Sequence, residues 1–132
     1  MASIRKEIVI EASAAKVWDA LRDFHAVDSR LATGFVMKSV PDGNTRILTF
    51  SNGSVAREEL VSIDDSAQRL VYAICTSERL SHYQGAAQVF AEGDKNCRFV
   101  WIVDVLPEEM AGYIKDQMSL AVPLMKKRLE SG

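Results

Sequence analysis

The sequence predicts an α+β domain in which a curved antiparallel sheet of seven strands wraps around a long C-terminal helix. Two patterns support this fold class. From residue 33 to residue 106, short apolar runs alternate with tight-turn signals, and no amphipathic helix interrupts them. From Pro107 to about Leu129, apolar residues recur at steps of three and four, which is typical of a helix with one buried face. A sheet of this size must cover one face, and only this helix is long enough to do so.

The strand and turn signals give a β-α-α-β6-α order. Ser3 to Glu11 alternates as a half-buried strand, and Ser13 is placed to cap a helix over residues 14–24. A short helical turn over residues 25–31 follows. Six further strands are predicted, with strong turn signals at Pro41–Asn44 and Asn52–Gly53. They span residues 34–40, 45–50, 54–63, 69–76, 80–91 and 97–106.

The last helix has two readings. Its apolar stripe either closes the core alone, or closes the core and also covers a ligand cavity. The second interpretation comes from the methionines of the stripe, because methionine packs adaptably against irregular partners. Pro107 suits the first helical position, while Pro123 removes a backbone donor and predicts a bend. The stripe consists of Met110, Ile114, Met118, Ala121, Val122, Met125 and Leu129.

Composition narrows the classes of protein. The chain has 132 residues, enough for one domain over residues 1–132, with 48% hydrophobic residues, 26% charged residues and a net charge of −2. The absence of a basic block argues against a nucleic-acid partner. The absence of a long apolar run argues against integral membrane association, and the N-terminal residues have no signal-peptide hydrophobic region.

The cysteines indicate a reducing compartment. Cys75 and Cys97 lie in predicted strands, and two buried free thiols in a cytoplasmic protein are the simplest interpretation. No close cluster of His, Cys and Asp has metal-ligand spacing, so we expect no metal and no cofactor.

The order of elements resembles the helix-grip fold of the START/Bet v 1 (SRPBCC) superfamily, over essentially the whole chain. Within that superfamily the sequence is similar to the polyketide cyclase/dehydrase-like branch and to the plant abscisic-acid receptors. The resemblance rests on EIVIEASAAKVWDALRDF, GNTRILTFSNGSVAREELVSIDD, LSHYQGAAQV and FVWIVDVLPEE. Its motif residues are Glu58, Leu60, Asp64, Asp65, Tyr83 preceded by His82 where the family has asparagine, and Trp101 six residues before Pro107.

The resemblance implies an apolar cavity between the concave sheet and the last helix. The seventh strand is apolar on both faces, and the receptor match favours the Asp104 side as the inward one, although a bulge would reverse it. If residues 99, 101, 103 and 105 face outward instead, their apolar patch makes a homodimer plausible. The expected ligand-binding residues are Lys38, Leu48, Phe50, Glu58, Leu60, Tyr72, Tyr83, Val100, Asp104, Met118, Val122 and Met125.

Two functions follow from this cavity. The first is binding of a small hydrophobic or amphipathic ligand with a ring, in which Lys38 would engage an acidic group. The alternative is a cyclase or dehydratase acting on a polyketide-like substrate, with Glu58 and Tyr83 as acid–base candidates. The charged residues also have a plain interpretation as solvated strand positions, and the tyrosines as core aromatics. The loop Ser51–Ser54 is too short for the receptors' gating lid, which argues against hormone-receptor behaviour.

Overall fold

The computed structural model describes residues 1–75 and 77–131, and these residues adopt the predicted fold. All seven strands form one antiparallel sheet in the order β1-β7-β6-β5-β4-β3-β2. The strands are β1 Ala2–Ile10, β2 Val36–Asp42, β3 Thr45–Phe50, β4 Val55–Asp64, β5 Arg69–Ala73, β6 His82–Ala91 and β7 Cys97–Leu106. Within these residues β1 pairs with β7 alone, so the strands that come first and last in this sheet along the sequence are neighbours.

The first helix begins where its capping signal predicts, whereas the last α-helix begins at Ala111, four residues after the predicted first position Pro107. The Ser13 hydroxyl accepts a hydrogen bond from the Lys16 amide at 3.2 Å and starts α1 (Ala14–Arg22). A 3-10 turn, Phe24–Ala26, leads into the short helix α2 (Val27–Arg30). After Pro107, a second 3-10 turn, Glu108–Met110, leads into α3 (Ala111–Glu130).

Helix α3 covers the concave face of the sheet with the predicted stripe. Its buried residues are Ile114, Met118, Ala121, Met125 and Leu129, whereas Val122 is only half-buried. Its C-terminal end also contacts the end of β1 and the residue that follows it: Lys126 Nζ donates to the Val9 carbonyl, and the Glu130 carboxylate accepts from the Glu11 amide, each at 2.8 Å. None of the helices in the described ranges has the length and hydropathy needed to cross a bilayer.

The inward face of β7 differs from the expectation. Phe99, Val103 and Val105 are at most 1% exposed and belong to the core, so the Trp101 side faces inward and the Asp104 side lies on the convex surface. The expectation was wrong because the strand is apolar on both faces; Val100 is buried on the convex side, outside the core cluster. The exposed apolar patch that motivated a homodimer is therefore absent from this part of the described sheet.

Two β-bulges change which side chains face inward. The register shifts between Val36 and Lys38 in β2, and between Leu60 and Ser62 in β4. Beyond the first bulge, Lys38 pairs with Thr49, and it is Ser39 that lies opposite the buried Leu48. Because one extra residue reverses the alternation of a strand, Lys38 points to the convex side and is exposed.

The two cysteines have different environments. Cys97 is buried in β7, and burial raises the pKa of its thiol to about 11. Cys75 is exposed, in contrast to the prediction, because β5 ends at Ala73 and leaves it beyond the strand. Its thiol donates to the Glu59 carboxylate at 2.9 Å, and this hydrogen bond raises its pKa.

Candidate functional site: a cavity under helix α3

A cavity of about 510 Å³ lies between the concave face of the sheet and the first turns of α3. Its open side is formed by exposed residues, which are Ser54, Val55, Arg57, Ser77, Glu78 and Arg79. Its remaining walls are mostly apolar or aromatic. They include Phe35, Phe50, Ala56, Glu58, Tyr72, Ile74, Leu80, Tyr83, Trp101, Met110, Tyr113, Ile114, Gln117 and Met118.

A smaller pocket of about 60 Å³ adjoins the cavity on its inner side. The two spaces share the walls Phe35, Phe50, Glu58, Tyr72 and Trp101. The deeper walls of the smaller pocket are apolar and include Leu48, Leu70, Phe99, Ala121 and Met125. Glu58 therefore lies where the open cavity meets the closed interior.

The polar feature of the inner wall is a buried ion pair between Arg46 and Glu58. These residues are opposite each other in β3 and β4 and are 6% and 5% exposed. Arg46 Nε and Nη2 both donate to Glu58 Oε1, at 2.9 and 2.7 Å, and Nη1 donates to the Phe24 carbonyl at 2.9 Å. The guanidinium also lies 4.1 Å from the centroid of the Phe24 ring. These contacts offset part of the cost of burying two charges.

The second oxygen of Glu58 is not used by this pair. No residue in the described part of the chain donates a hydrogen bond to Oε2. A carboxylate has acceptor sites on both oxygens, so Oε2 is left for a ligand or for water.

Three aromatic residues complete the inner wall. Trp101 Nε1 donates to the Tyr72 hydroxyl at 3.0 Å, and the rings of Tyr72 and Tyr83 lie 6.2 Å apart. Gly85 lies directly opposite Tyr72 on β6. A Cβ atom on Gly85 would be 2.3 Å from Tyr72 Cζ, so the missing side chain is what lets the phenol lie across the strand.

Burial keeps both phenols protonated. It raises the pKa of Tyr72 and of Tyr83 above the ordinary value, and the negative charge of Glu58 adds to the effect in both cases. At neutral pH the two hydroxyls are therefore uncharged groups that can donate or accept hydrogen bonds.

The open side of the cavity is bordered by contacts to Tyr113 of α3. Asn52 Nδ2 donates to the Tyr113 hydroxyl at 3.1 Å, which joins the β3–β4 turn to the helix. The Arg79 guanidinium lies 5.2 Å from the Tyr113 ring centroid. The β3–β4 turn and the segment that connects β5 to β6 therefore both contact Tyr113 of α3.

Seven of the residues expected at a ligand site lie in these two spaces. Five line the larger cavity: Phe50, Glu58, Tyr72, Tyr83 and Met118. Leu48 and Met125 line the smaller pocket. Their role in binding stays a prediction, but the structure brings them together.

The other five expected residues lie elsewhere. Lys38 is exposed on the convex side because of the bulge in β2, and Val100 and Asp104 lie on the convex face of β7. Leu60 lines a separate depression beside Phe24, and Val122 lines neither space. The placement of these five side chains in the cavity was therefore wrong.

Sequence reasoning missed Arg46 and placed Trp101 on the wrong face. Arg46 could have been found, because a hairpin centred on Asn52 puts it directly opposite Glu58, on the same side as Leu48 and Phe50. Trp101 gave no such signal, since the residues on both sides of β7 are apolar.

A curved antiparallel sheet that grips a C-terminal helix over an apolar cavity defines a protein of the helix-grip class. The family model described as "Polyketide cyclase / dehydrase and lipid transport" matches residues 1–131, and the chain belongs to this family. The predicted membership of the START/Bet v 1 superfamily is thereby confirmed, while the likeness to abscisic-acid receptors stays a prediction.

Solved structures share the fold at low sequence identity. An uncharacterised protein from Bacillus thuringiensis has a TM-score of 0.85 at 18% identity, with 97% of this chain and 98% of that chain covered. A START superfamily protein from Mycobacterium smegmatis has a TM-score of 0.67 at 15% identity, with 98% and 94% covered. Norcoclaurine synthase from Thalictrum flavum, in complex with dopamine and hydroxybenzaldehyde, has a TM-score of 0.70 at 16% identity, with 98% and 84% covered. Among proteins with curated descriptions, none matches the chain.

Proposed function

We propose that this protein binds a small hydrophobic or amphipathic molecule in the cavity under α3. The observation that carries the proposal is the cavity itself: its volume of about 510 Å³ lies within the roughly 300–1,000 Å³ that is usual for small-molecule sites. Its walls combine apolar side chains with a few convergent polar groups, which is the composition that such sites have.

The aromatic walls favour a ligand that contains a ring. Phe35 and Phe50 lie 5.4 Å apart on one side, and Tyr72, Tyr83 and Trp101 form the inner wall. Flat aromatic surfaces gain more from a ring stacked or edge-on against them than from a flexible chain. The norcoclaurine synthase structure, with its two aromatic ligands, is an instance of such ligands in the same fold.

A fluorescence titration tests the binding proposal. The neutral probe N-phenyl-1-naphthylamine emits strongly in apolar surroundings, and we expect saturable enhancement with the wild-type protein. Ala56 lines the cavity, whereas Ala86 lies on the convex face of β6. The variant Ala56→Phe should therefore reduce probe binding, and the matched variant Ala86→Phe should not. Equal enhancement with both variants would place the probe outside the cavity.

The natural ligand requires a separate measurement. Mass spectrometry of small molecules that copurify with the wild-type protein should find species that are depleted from Ala56→Phe and retained by Ala86→Phe. Molecules that adhere to the protein surface should copurify equally with Ala56→Phe, so the comparison with this variant excludes them.

A second candidate function is catalysis of a cyclisation or dehydration. It is favoured by the unused Glu58 oxygen and the Tyr83 hydroxyl in one cavity, since these are the groups that could move a proton. The pKa of Tyr83 is raised, so its hydroxyl is a poor proton donor at neutral pH. We therefore favour binding over catalysis. Incubation with a linear polyketide-like substrate, followed by chromatography and mass spectrometry, would establish the enzyme by a product lighter by one water or by an isomer with a different retention time. Recovery of the substrate unchanged in both mass and retention time, together with saturable binding, would argue against it.

We also propose a cytoplasmic location, because Cys75 and Cys97 are both free. A homodimer stays an untested expectation, and sedimentation at high concentration would decide it.

A further inference from the structure

We infer that the inner end of the cavity binds a neutral hydroxyl group of the ligand, between Glu58 and the two buried tyrosines. This inference rests on the proposed binding function and names the chemical class of the ligand's polar end. It follows from the hydrogen-bond donors and acceptors of the inner wall that have no partner among the described residues.

Glu58 requires a donor. Both hydrogen bonds from Arg46 go to Oε1, and no described residue donates to Oε2. An ionised carboxylate accepts and does not donate, so a ligand group that reaches Oε2 must bring a hydrogen. A bond to a charged acceptor is also stronger than one between neutral groups.

The tyrosines supply at least one donor of their own. The Trp101 indole can only donate, and it gives its hydrogen to the Tyr72 oxygen. Tyr72 and Tyr83 together hold two phenolic hydrogens, and a bond between the two hydroxyls would use only one. Neither hydroxyl donates to Glu58 within the described residues. One phenolic hydrogen is therefore available to an acceptor on the ligand.

A hydroxyl satisfies both requirements at once, because it donates one hydrogen and accepts through its lone pairs. A carboxylate would accept from the tyrosines but would place its negative charge beside Glu58. An ammonium group would donate to Glu58 but could not accept from a tyrosine, and it would face the positive charge of Arg46. A ketone would accept but leave Glu58 Oε2 without a donor.

The charge of this wall is balanced before the ligand arrives. Arg46 and Glu58 neutralise each other at 2.7 Å, so the wall has no net charge for an ionised ligand to match. The expected engagement of a ligand acid by Lys38 also has no basis, because Lys38 is exposed on the convex side. A neutral hydroxylated ligand fits the balanced wall.

Three probes of one shape test this inference: 2-naphthol, 2-methylnaphthalene and 2-naphthoate, each measured by displacement of N-phenyl-1-naphthylamine. We expect 2-naphthol to bind about tenfold more tightly than 2-methylnaphthalene, the ratio that one hydrogen bond to a charged acceptor gives. We expect 2-naphthoate to bind more weakly than both.

Variants of the wall give the second arm of the test. Glu58→Gln removes the negative charge and leaves Arg46 uncompensated, so the preference should shift from 2-naphthol towards 2-naphthoate. Glu59→Gln is the matched control, because Glu59 is the exposed neighbour on the opposite face. If Glu58→Gln does not fold, Tyr83→Phe keeps the ion pair, and it should weaken 2-naphthol while leaving 2-methylnaphthalene unchanged.

The outcomes separate this inference from the proposed function. Equal binding of all three probes, or tightest binding of 2-naphthoate to the wild-type protein, overturns the hydroxyl site while the binding function stands. Failure of every probe, including N-phenyl-1-naphthylamine, overturns both. A 2-naphthol preference that survives in Glu58→Gln and Tyr83→Phe alike places the hydroxyl elsewhere and also overturns the inference.

Discussion

Arg46 and Glu58 face each other across the β3–β4 hairpin, each less than a tenth exposed, and the guanidinium of Arg46 is held against the ring of Phe24. The pair has two consequences: it places charged groups on an otherwise uncharged wall, and it makes each partner dependent on the other. A buried charge that loses its partner keeps the cost of desolvation without the compensating attraction.

The ion pair gives the first prediction. Glu58→Leu alone should lower the free energy of unfolding by about 3–5 kcal/mol, because it leaves Arg46 buried and unpaired. The double variant Arg46→Met/Glu58→Leu should recover most of this loss. Asp42→Ala, which breaks an exposed pair with Arg57, should cost less than about 1 kcal/mol. Urea unfolding measures all three, and a double variant as unstable as the single one would contradict the account.

The second prediction concerns the contact between Gly85 and Tyr72. Gly85→Ala should force the Tyr72 ring to move and cost about 1–3 kcal/mol, because the new methyl group would occupy its place. Combining it with Tyr72→Leu should remove most of the conflict, which a double-mutant cycle detects as coupling. Gly112→Ala is the control: it lies in α3 with open space around it, and the change should be neutral or stabilising.

Buried titratable groups predict a loss of stability at high pH. Burial raises the pKa of Cys97 in the folded protein to about 11 from an ordinary value of 9.0, and it raises the pKa values of Tyr72 and Tyr83 above their ordinary value of 10.0. Above these ordinary values the unfolded chain releases protons that the folded protein retains. Stability therefore falls as pH rises, from about pH 9 for the thiol and from about pH 10 for the phenols.

Two variants resolve these contributions. In denaturant titrations between pH 8 and pH 11, Cys97→Ala should reduce the decline that begins near pH 9, to which the Cys75 thiol, whose pKa is also raised, contributes as well. Tyr83→Phe should leave that part and reduce the decline above pH 10. A wild-type stability that stays constant across this range would show that the folded and unfolded pKa values do not differ.

The fourth prediction reverses an expectation from sequence. Lys38→Met should change the affinity of N-phenyl-1-naphthylamine and of 2-naphthoate by less than about twofold, because the side chain is exposed on the convex face and makes no part of the cavity wall. A loss of tenfold or more for 2-naphthoate alone would mean that Lys38 reaches the ligand after all.

Much of this fold could be predicted from local chemistry. The predicted bounds of β3 and β7 match the structure, and the Ser13 cap forms as expected. These signals are local: a side chain that bonds a nearby amide, or a run of residues closed by a tight turn. They depend on neither the register of the sheet nor the packing of distant residues.

The site could be predicted only in part, because it depends on register. Glu58 and Tyr83 were found, since each lies in a stretch of regular alternation, whereas Tyr72 lies in β5, where Leu70, Val71 and Tyr72 are all buried and the resemblance supplied its placement. Lys38 was placed on the wrong face because the amino-acid sequence of β2 contains no signal for the bulge at residue 37. Asp104 was misplaced because alternation carries no information when both faces of a strand are apolar.

The pairing of β1 with β7 has a consequence for how the protein is made. β1 leaves the ribosome before the other six strands of this sheet, yet Ala2 pairs with Val105 and Ile10 with Cys97, so its partner β7 is the last of the seven strands to be synthesised. Until then, the apolar side chains Ile4, Ile8 and Ile10 have no sheet to join. The hairpins from β2 to β6 are contiguous and can form while translation continues, but the domain can close only once β7 and α3 are complete. A nascent chain stalled before residue 97 would therefore carry an unpaired first strand and an uncovered concave face.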